Sequence, residues 1–433
     1  MTGKMACVES ISGVFAGIPL HLECRSDNST GRTDMTRVDF KGQLSGTAID
    51  PFSIAVPDVI LQDLQDRLSR VRWPDEVPGG GWNFGADLTY LRGLIKYWRD
   101  TYDWRARERA LNRYPQFTTS IRGTRVHFIH ECGEGNAPYP LLLSHGWPGS
   151  IVEFQQLIPR LTHPSAFGGR AEDAFTVIVP SLPGHGFSYS TGQARLGIIE
   201  IADVLADLMT GTLGYKRFAA HGHDWGAFLA TRLGFAHADH LLGIHITLLA
   251  VPREPVQAPN TPQELRFNEQ LANWLREETG YSTMMGTKPQ TLSYGLTDSP
   301  VGLAAWIIEK FRSWSDCGGD VDAHFSRDVL LDNIMIYWVT GAINSSFWPY
   351  YARIHGPWIV PSGEKVQVPT GYAEFPREIL TPPQSVAETL YGNIQRWSSM
   401  QRGGHFPALE DPDALAQEIV SFFRPLRTSS SER

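Results

Sequence analysis

From Arg125 onward the sequence alternates between two textures. Short apolar runs, Val126–Ile129, Leu141–Leu143, Phe175–Val179, Phe218–Ala220 and Leu242–Leu249, are separated by helical patterns such as Ile151–Leu161 and Ile198–Met209. Strands buried on both faces read as continuous apolar runs, and parallel neighbours need a crossover helix between them. The alternation therefore calls for an α/β fold: a mostly parallel central sheet with helices on both faces. Ser150 and Glu153 have capping-box spacing at the start of the first helical pattern.

Both flanks depart from this texture. Residues 1–45 read as a poorly ordered leader, polar over 25–45; residues 8–22 are mildly apolar but are interrupted by Glu9 and preceded only by Lys4, a poor signal peptide. Met35 offers an alternative start. Residues 46–124 form an N-terminal helical arm. In it Phe52, Ile54 and Val56 alternate as a short strand. Leu61, Leu64, Leu68 and Val71 recur at helical spacing before Trp73-Pro74, and Leu88–Trp98 and Trp104–Leu111 are amphipathic. Residues 125–252 are the first part of the core, and residues 253–362 an inserted helical cap, or lid, dense in aromatics. Residues 363–433 return to the core through Val366–Val368, Tyr391–Trp397 and a last helix over Pro412–Phe423.

Composition narrows the function. Hydrophobic residues make up 42% and charged residues 19%, enough for a large core and unlike a disordered chain. Acidic residues outnumber basic ones, 46 to 38, so no chain-wide basic surface for nucleic acid is expected. No apolar run approaches the about 18 residues that span a bilayer, so no membrane anchor is evident and a soluble, cytoplasmic protein is expected. The four cysteines (Cys7, Cys24, Cys132, Cys317) indicate neither a disulfide framework nor a zinc site. A homodimer is a prior rather than a reading.

The pentapeptide Gly222-His223-Asp224-Trp225-Gly226 lies between the strand Phe218–Ala220 and the helical run Phe228–Leu233. This is a G-x-nucleophile-x-G elbow in its strand–turn–helix context. The alternative is a plain strand–helix turn with an N-capping Asp. A carboxylate nucleophile attacks a saturated carbon, forms an alkyl ester and is restored when that ester opens. The substrate then needs an electrophilic sp³ carbon, as in an epoxide or a carbon–halogen bond.

Opening the ester needs a base, and His405 in Gly403-Gly404-His405-Phe406 stands where an elbow fold puts one, after the last strand. A carboxylate must orient it; Glu378, Glu374 and Glu388 are the candidates. An oxyanion site is expected from the backbone N–H groups of Trp147, in Ser144-His145-Gly146-Trp147-Pro148-Gly149, and of Trp225. The competing reading of that loop is a tight turn with a packed Trp.

With these residues in hand, the sequence resembles the microsomal-type epoxide hydrolases of the α/β-hydrolase superfamily. The similarity spans about residues 50–425 and includes Arg72-Trp73-Pro74, Trp104-Arg105, NRYPQF at 112–117 and His127-Phe128-Ile129-His130. It continues through HGWPGS, PSLPGHGFS at Pro180–Ser188, HGHDWGA and GGHFPALEDP. The resemblance implies a nucleophile at Asp224, a base at His405 and, from its PREIL context, an acid at Glu378. It also implies two cap tyrosines that hold and protonate the epoxide oxygen, matched by Tyr281 and Tyr350, with Tyr351 and Tyr294 as competitors. The implied activity converts an epoxide and water to a vicinal diol through a covalent hydroxyalkyl ester, with no metal or cofactor. One rival is a haloalkane or haloacid dehalogenase with the same Asp–His–acid logic. The other is a non-catalytic scaffold of the same fold. The membrane-bound members carry an N-terminal anchor that is not seen here, and residues 1–45 match nothing in the family pattern.

Overall fold

The computed structural model describes residues 48–430; the expected leader over 1–45 lies outside them. Nine strands form one sheet: β1 (Asp50–Phe52), β2 (Gln116–Ile121), β3 (Thr124–Glu131), β4 (Tyr139–Ser144), β5 (Phe175–Pro180), β6 (Phe218–Gly222), β7 (Leu241–Ile246), β8 (Thr370–Glu374) and β9 (Ile394–Ser399). Their order is β1-β2-β3-β5-β4-β6-β7-β8-β9. Pairing is parallel from β5 through β4 to β9 and antiparallel from β1 to β5. Every residue of β5 and β7 is buried, as expected for strands covered on both faces.

The chain leaves β4 to one side to form β5, then returns to the other side to form β6. The loops after β4 and β6 therefore diverge at the carboxyl edge, which opens a crevice at this switch point. Between β7 and β8 runs the helical insertion, from Pro262–Glu277 to Trp348–His355.

Several local expectations change. The arm is helical over Asp58–Ser69, Leu88–Asp100 and Trp104–Leu111, but it also supplies β1 and β2. β2 and β3 form a hairpin whose two-residue turn, Arg122-Gly123, has both φ angles positive. Ile54 and Val56 are buried beyond β1 without strand pairing. Asn112 brackets the Ile54 backbone at 2.8 Å on both sides, and Glu108 accepts the Val56 N–H at 2.7 Å. Ile151–Leu161 is two pieces, a 3₁₀ turn over Ile151–Phe154 and a helix over Leu157–Thr162. Pro159 has no N–H to give and is tolerated only in a first turn, so the helix restarts just before it. The β8 ladder begins at Thr370, after Pro369, and Val366 makes a single bridge to Tyr391. The last helix extends from Pro412 to Ser430. Cys317 is free and buried. Among the described residues no helix is long and apolar enough to cross a membrane.

Arm and cap are clasped at one buried carboxylate. Asp332, on the cap helix Arg327–Thr340, accepts Arg107 Nε at 2.9 Å, Nη2 at 2.6 Å and the Tyr102 hydroxyl at 2.7 Å. Its side chain is 1% exposed. Removing one member of such a pair strands the other in a desolvated site. Asp332→Ala is therefore expected to lose about 3–5 kcal/mol of stability, read as a fall in the urea midpoint. A change within a few tenths of a kcal/mol would mean the clasp is not buried in solution.

Candidate active site

The elbow is built by strain that its glycines permit. Asp224 sits at φ 47, ψ −126, a backbone region L-residues rarely adopt, between β6 and the helix Trp225–Ala236. A Cβ on Gly222 would lie 2.1 Å from the Gly226 carbonyl oxygen, and one on Gly226 would lie 1.9 Å from that of Ser144. Only glycine fits either place. β4 and β6 pair in register, Ser144 opposite Gly222, so the loops after both strands emerge together.

The Trp147 N–H donates to Asp224 Oδ1 at 2.7 Å, and the Trp225 N–H also acts on this carboxylate. A Cβ on Gly146 would lie 2.2 Å from the same Oδ1, so this loop passes the carboxylate at backbone distance. Burial disfavours the charged form of Asp224. His405 and the two N–H groups outweigh burial and hold the carboxyl below its ordinary value.

His405 and Glu378 meet because their loops pair. An isolated parallel bridge joins Arg377 to Gly404, and the next residues of the two loops are Glu378 and His405. His405 Nδ1 and Glu378 Oε1 are 2.6 Å apart, while His405 Nε2 stands 3.4 Å from Asp224 Oδ2, a charge contact rather than an aligned hydrogen bond. Burial works against the imidazolium, but the Glu378 and Asp224 carboxylates prevail and push the pKa up to about 10. Glu374 ends β8 half-buried, and Glu388 is exposed; neither contacts His405.

Rings of the cap roof the site. Trp147 stacks on Tyr281 at 5.4 Å and 11°, and Tyr350 stands edge-on to Trp225 at 4.8 Å. The Tyr281 and Tyr350 rings are 5.6 Å apart. The Tyr350 hydroxyl is buried with no hydrogen-bond partner among the described residues. Burial, aided by the Asp224 charge, raises both phenols above their ordinary value, so both keep their protons at neutral pH. Tyr351 instead stacks on His355 at 3.9 Å, and Tyr294 is 72% exposed.

Four features had no sequence signal of their own, or a misleading one. Glu153 makes no capping box: Ser150 Oγ accepts the Val152 N–H, while the Glu153 carboxylate lies 2.8 Å from His223 Nε2 beneath the elbow. On the cap helix Arg327–Thr340, Asn333 Nδ2 donates to the Pro148 carbonyl at 2.7 Å. One turn on, Tyr337 donates to the Gly149 carbonyl at 2.8 Å, so the cap holds the Trp147 loop. Glu410 accepts the N–H groups of Asp316 and Phe406, tying the His405 loop to the cap; burial pushes its pKa up to about 7. No cluster of metal-binding side chains occurs among the described residues.

An acidic elbow at the switch point of a parallel sheet, with its histidine on the loop after the last strand, is the architecture of an α/β-hydrolase. The family model described as "alpha/beta hydrolase fold" matches residues 139–284, and the one described as "Epoxide hydrolase N terminus" matches residues 49–154, across the arm. "Epoxide hydrolase 1" of Oryctolagus cuniculus is 36% identical over 407 residues, covering 88% of this chain and 89% of that protein. The crystal structure of juvenile hormone epoxide hydrolase from the silkworm Bombyx mori superposes with a TM-score of 0.80 at 30% identity, over 89% of this chain and 96% of that one. Aspergillus niger epoxide hydrolase superposes at 0.76 and 26% identity, over 88% and 97%. The chain belongs to the epoxide hydrolase family.

Proposed function

We propose that this epoxide hydrolase forms a vicinal diol through a covalent ester on Asp224. The observation that carries the reading is the cradle around one carboxylate. Oδ1 is held by the Trp147 N–H, Oδ2 faces His405, and the Tyr350 hydroxyl nearby has no protein partner among the described residues.

Oδ2 attacks a ring carbon while Tyr281 and Tyr350 hold the epoxide oxygen. The C–O bond breaks, and the developing alkoxide takes a phenol proton. Oδ1, already in the N–H cradle, becomes the ester carbonyl oxygen. His405, oriented by Glu378, then removes a proton from water. The hydroxide adds to the ester carbonyl carbon, and the N–H groups of Trp147 and Trp225 hold the resulting oxyanion. Collapse releases the diol and restores the carboxylate. The proton taken from water balances the one the phenol supplied.

The ester changes the charge around His405. In the free enzyme two carboxylates stabilise the imidazolium. Esterification neutralises Asp224, so the imidazolium loses one stabilising charge and its pKa falls, freeing the base for the second step. Ester formation needs only ionised Asp224 and is expected to persist to below about pH 4. Ester hydrolysis needs neutral His405 and is lost as pH falls through the lowered imidazolium pKa. Single-turnover kinetics should place the acid limb of adduct decay at higher pH than that of adduct formation. One shared limb would refute His405 as the base.

The deciding experiment is the intact mass of His405→Gln after exposure to a panel of epoxides and haloalkanes. Without its base the hydrolytic step is expected to slow by about 10²–10⁴-fold, so the ester accumulates. A gain equal to one whole epoxide, mapped to Asp224, supports the reading. A gain of substrate minus hydrogen halide favours a dehalogenase. No adduct on a variant whose wild type turns over the same epoxide would sink the covalent route.

A further inference from the structure

A cavity of about 800 Å³ opens beside the site and shares Trp225 with it. Its walls are apolar where Phe228, Trp348 and Trp358 line them, and its size is that of a pocket for a small organic ligand. It also carries three arginines that the mechanism above does not use: Arg195, which lies over the Tyr189 ring, and Arg253 and Arg353. Arg353 lies on the helix Trp348–His355, three residues after Tyr350, so both project from one helix face about 4.5 Å apart along its axis. Arg253 follows β7 and lies 5.4 Å over the Trp274 ring. The Tyr281 phenol feels the charge of Arg253, of Arg353 and of Asp224, so these two cations lie within electrostatic reach of the site.

Neither arginine side chain forms an ion pair or a hydrogen bond with any described residue. That is not for want of carboxylates, since the chain has 46 acidic residues against 38 basic ones. Three acidic residues, Glu200, Glu254 and Glu364, line the same cavity, but all three are exposed at its rim, and Glu200 is turned to the Gly197 N–H. Both arginines are half-buried. Burial, with the like charge of Arg253 beside it, brings the Arg353 pKa down to about 10, so the group is strained toward neutrality yet still charged at pH 7. Two half-buried guanidinium groups close enough for one to feel the other's charge, with no counter-ion among the described residues, are better accommodated when an anion joins them. A carboxylate matches their planar donors.

We propose that Arg253 and Arg353 form an anion subsite, and that the substrate is an epoxide carrying a carboxylate on a short spacer from its ring. The inference rests on the reading that epoxides open at Asp224. A competing role for the same arginines is to ease proton donation by Tyr281, which would favour all epoxides alike.

The test compares kcat/KM for terminal epoxides bearing a carboxylate at increasing spacer length with that for their methyl esters. Wild type is expected to prefer the acid over its ester by at least about tenfold at the best spacer. The acid-to-ester ratio should fall toward one in the Arg253→Gln/Arg353→Gln double variant. Arg353→Lys, which keeps the charge without the fork, should retain part of it. Thermal melting of each variant checks that it is folded. Two outcomes would overturn the subsite: esters turned over as well as acids by wild type, or acid and ester falling in parallel in the double variant, as tuning of Tyr281 requires. Turnover of the esters with no preference for the acids leaves the epoxide reading standing and removes only the subsite. Turnover of neither series by wild type removes both.

Discussion

Asp224→Asn is expected to lower kcat by about 10⁴–10⁶-fold, the scale on which loss of a covalent nucleophile is felt. The substitution is nearly isosteric. Its amide oxygen can still accept the Trp147 N–H that now reaches Oδ1 at 2.7 Å, so the elbow keeps its cradle. What goes is the nucleophile, because an amide has no anionic lone pair to place on a ring carbon. The charge facing His405 at 3.4 Å goes with it. The decisive readout is the Asp224→Asn/His405→Gln double variant, which should show no epoxide adduct where His405→Gln alone accumulates one. Activity that grows on storage together with the mass change of deamidation would mark conversion of Asn back to Asp. Near-wild-type turnover in freshly prepared Asn enzyme would exclude a covalent role for this residue.

Loss of both phenols is expected to have the next largest effect. Tyr281→Phe/Tyr350→Phe should slow ester formation by about 10²–10⁴-fold, the range for a positioned general acid, while each single variant keeps part of the rate. The rings carry the packing: Tyr281 stacks on Trp147, and Tyr350 meets Trp225 edge-on. Phe preserves both contacts. The Tyr350 hydroxyl has no partner among the described residues to strand, so its loss should leave the melting temperature nearly unchanged. The measurement is the single-turnover rate of adduct formation, followed separately from adduct decay. Full ring-opening activity in the double variant would refute the assignment of these phenols, and a defect confined to decay would move them to the second chemical step.

Much of the fold was readable because its signals are contiguous. A buried parallel strand is a run of neighbouring apolar residues, and Phe175–Pro180 is buried throughout. An amphipathic helix repeats within two turns, and Trp104–Leu111 carried its own boundaries in that pattern. The elbow is also local. Its glycines are required by contacts with Gly226 and Ser144 that follow from the turn itself and from the strand beside it. Where spacing misled, a competing interaction had taken the residue. Glu153 has the right offset from Ser150 to cap, yet its carboxylate faces His223 across the elbow. The helix expected through Ile151–Leu161 breaks where Pro159 needs a first turn.

Convergence of the site was not readable in the same way, because it depends on contacts between distant segments. Glu374 and Glu378 are both plausible partners for a histidine when only spacing is known. The bridge between Arg377 and Gly404 brings Glu378 to 2.6 Å from His405, and Glu374 remains on β8. Tyr350 and Tyr351 are adjacent in sequence, but one turns toward Trp225 and Tyr281 while the other stacks on His355. The grip of Asn333 and Tyr337 on the Trp147 loop joins residues more than 180 positions apart, at |i−j| of 185 and 188, and no local pattern encodes such a pairing. What one turn can hold is written in the order of residues: the elbow carboxylate, its glycines and the strand beneath it. Which carboxylate, which phenol and which cap residues stand around Asp224 is decided by packing, since burial and hydrogen bonding choose among equivalent side chains only when the segments meet.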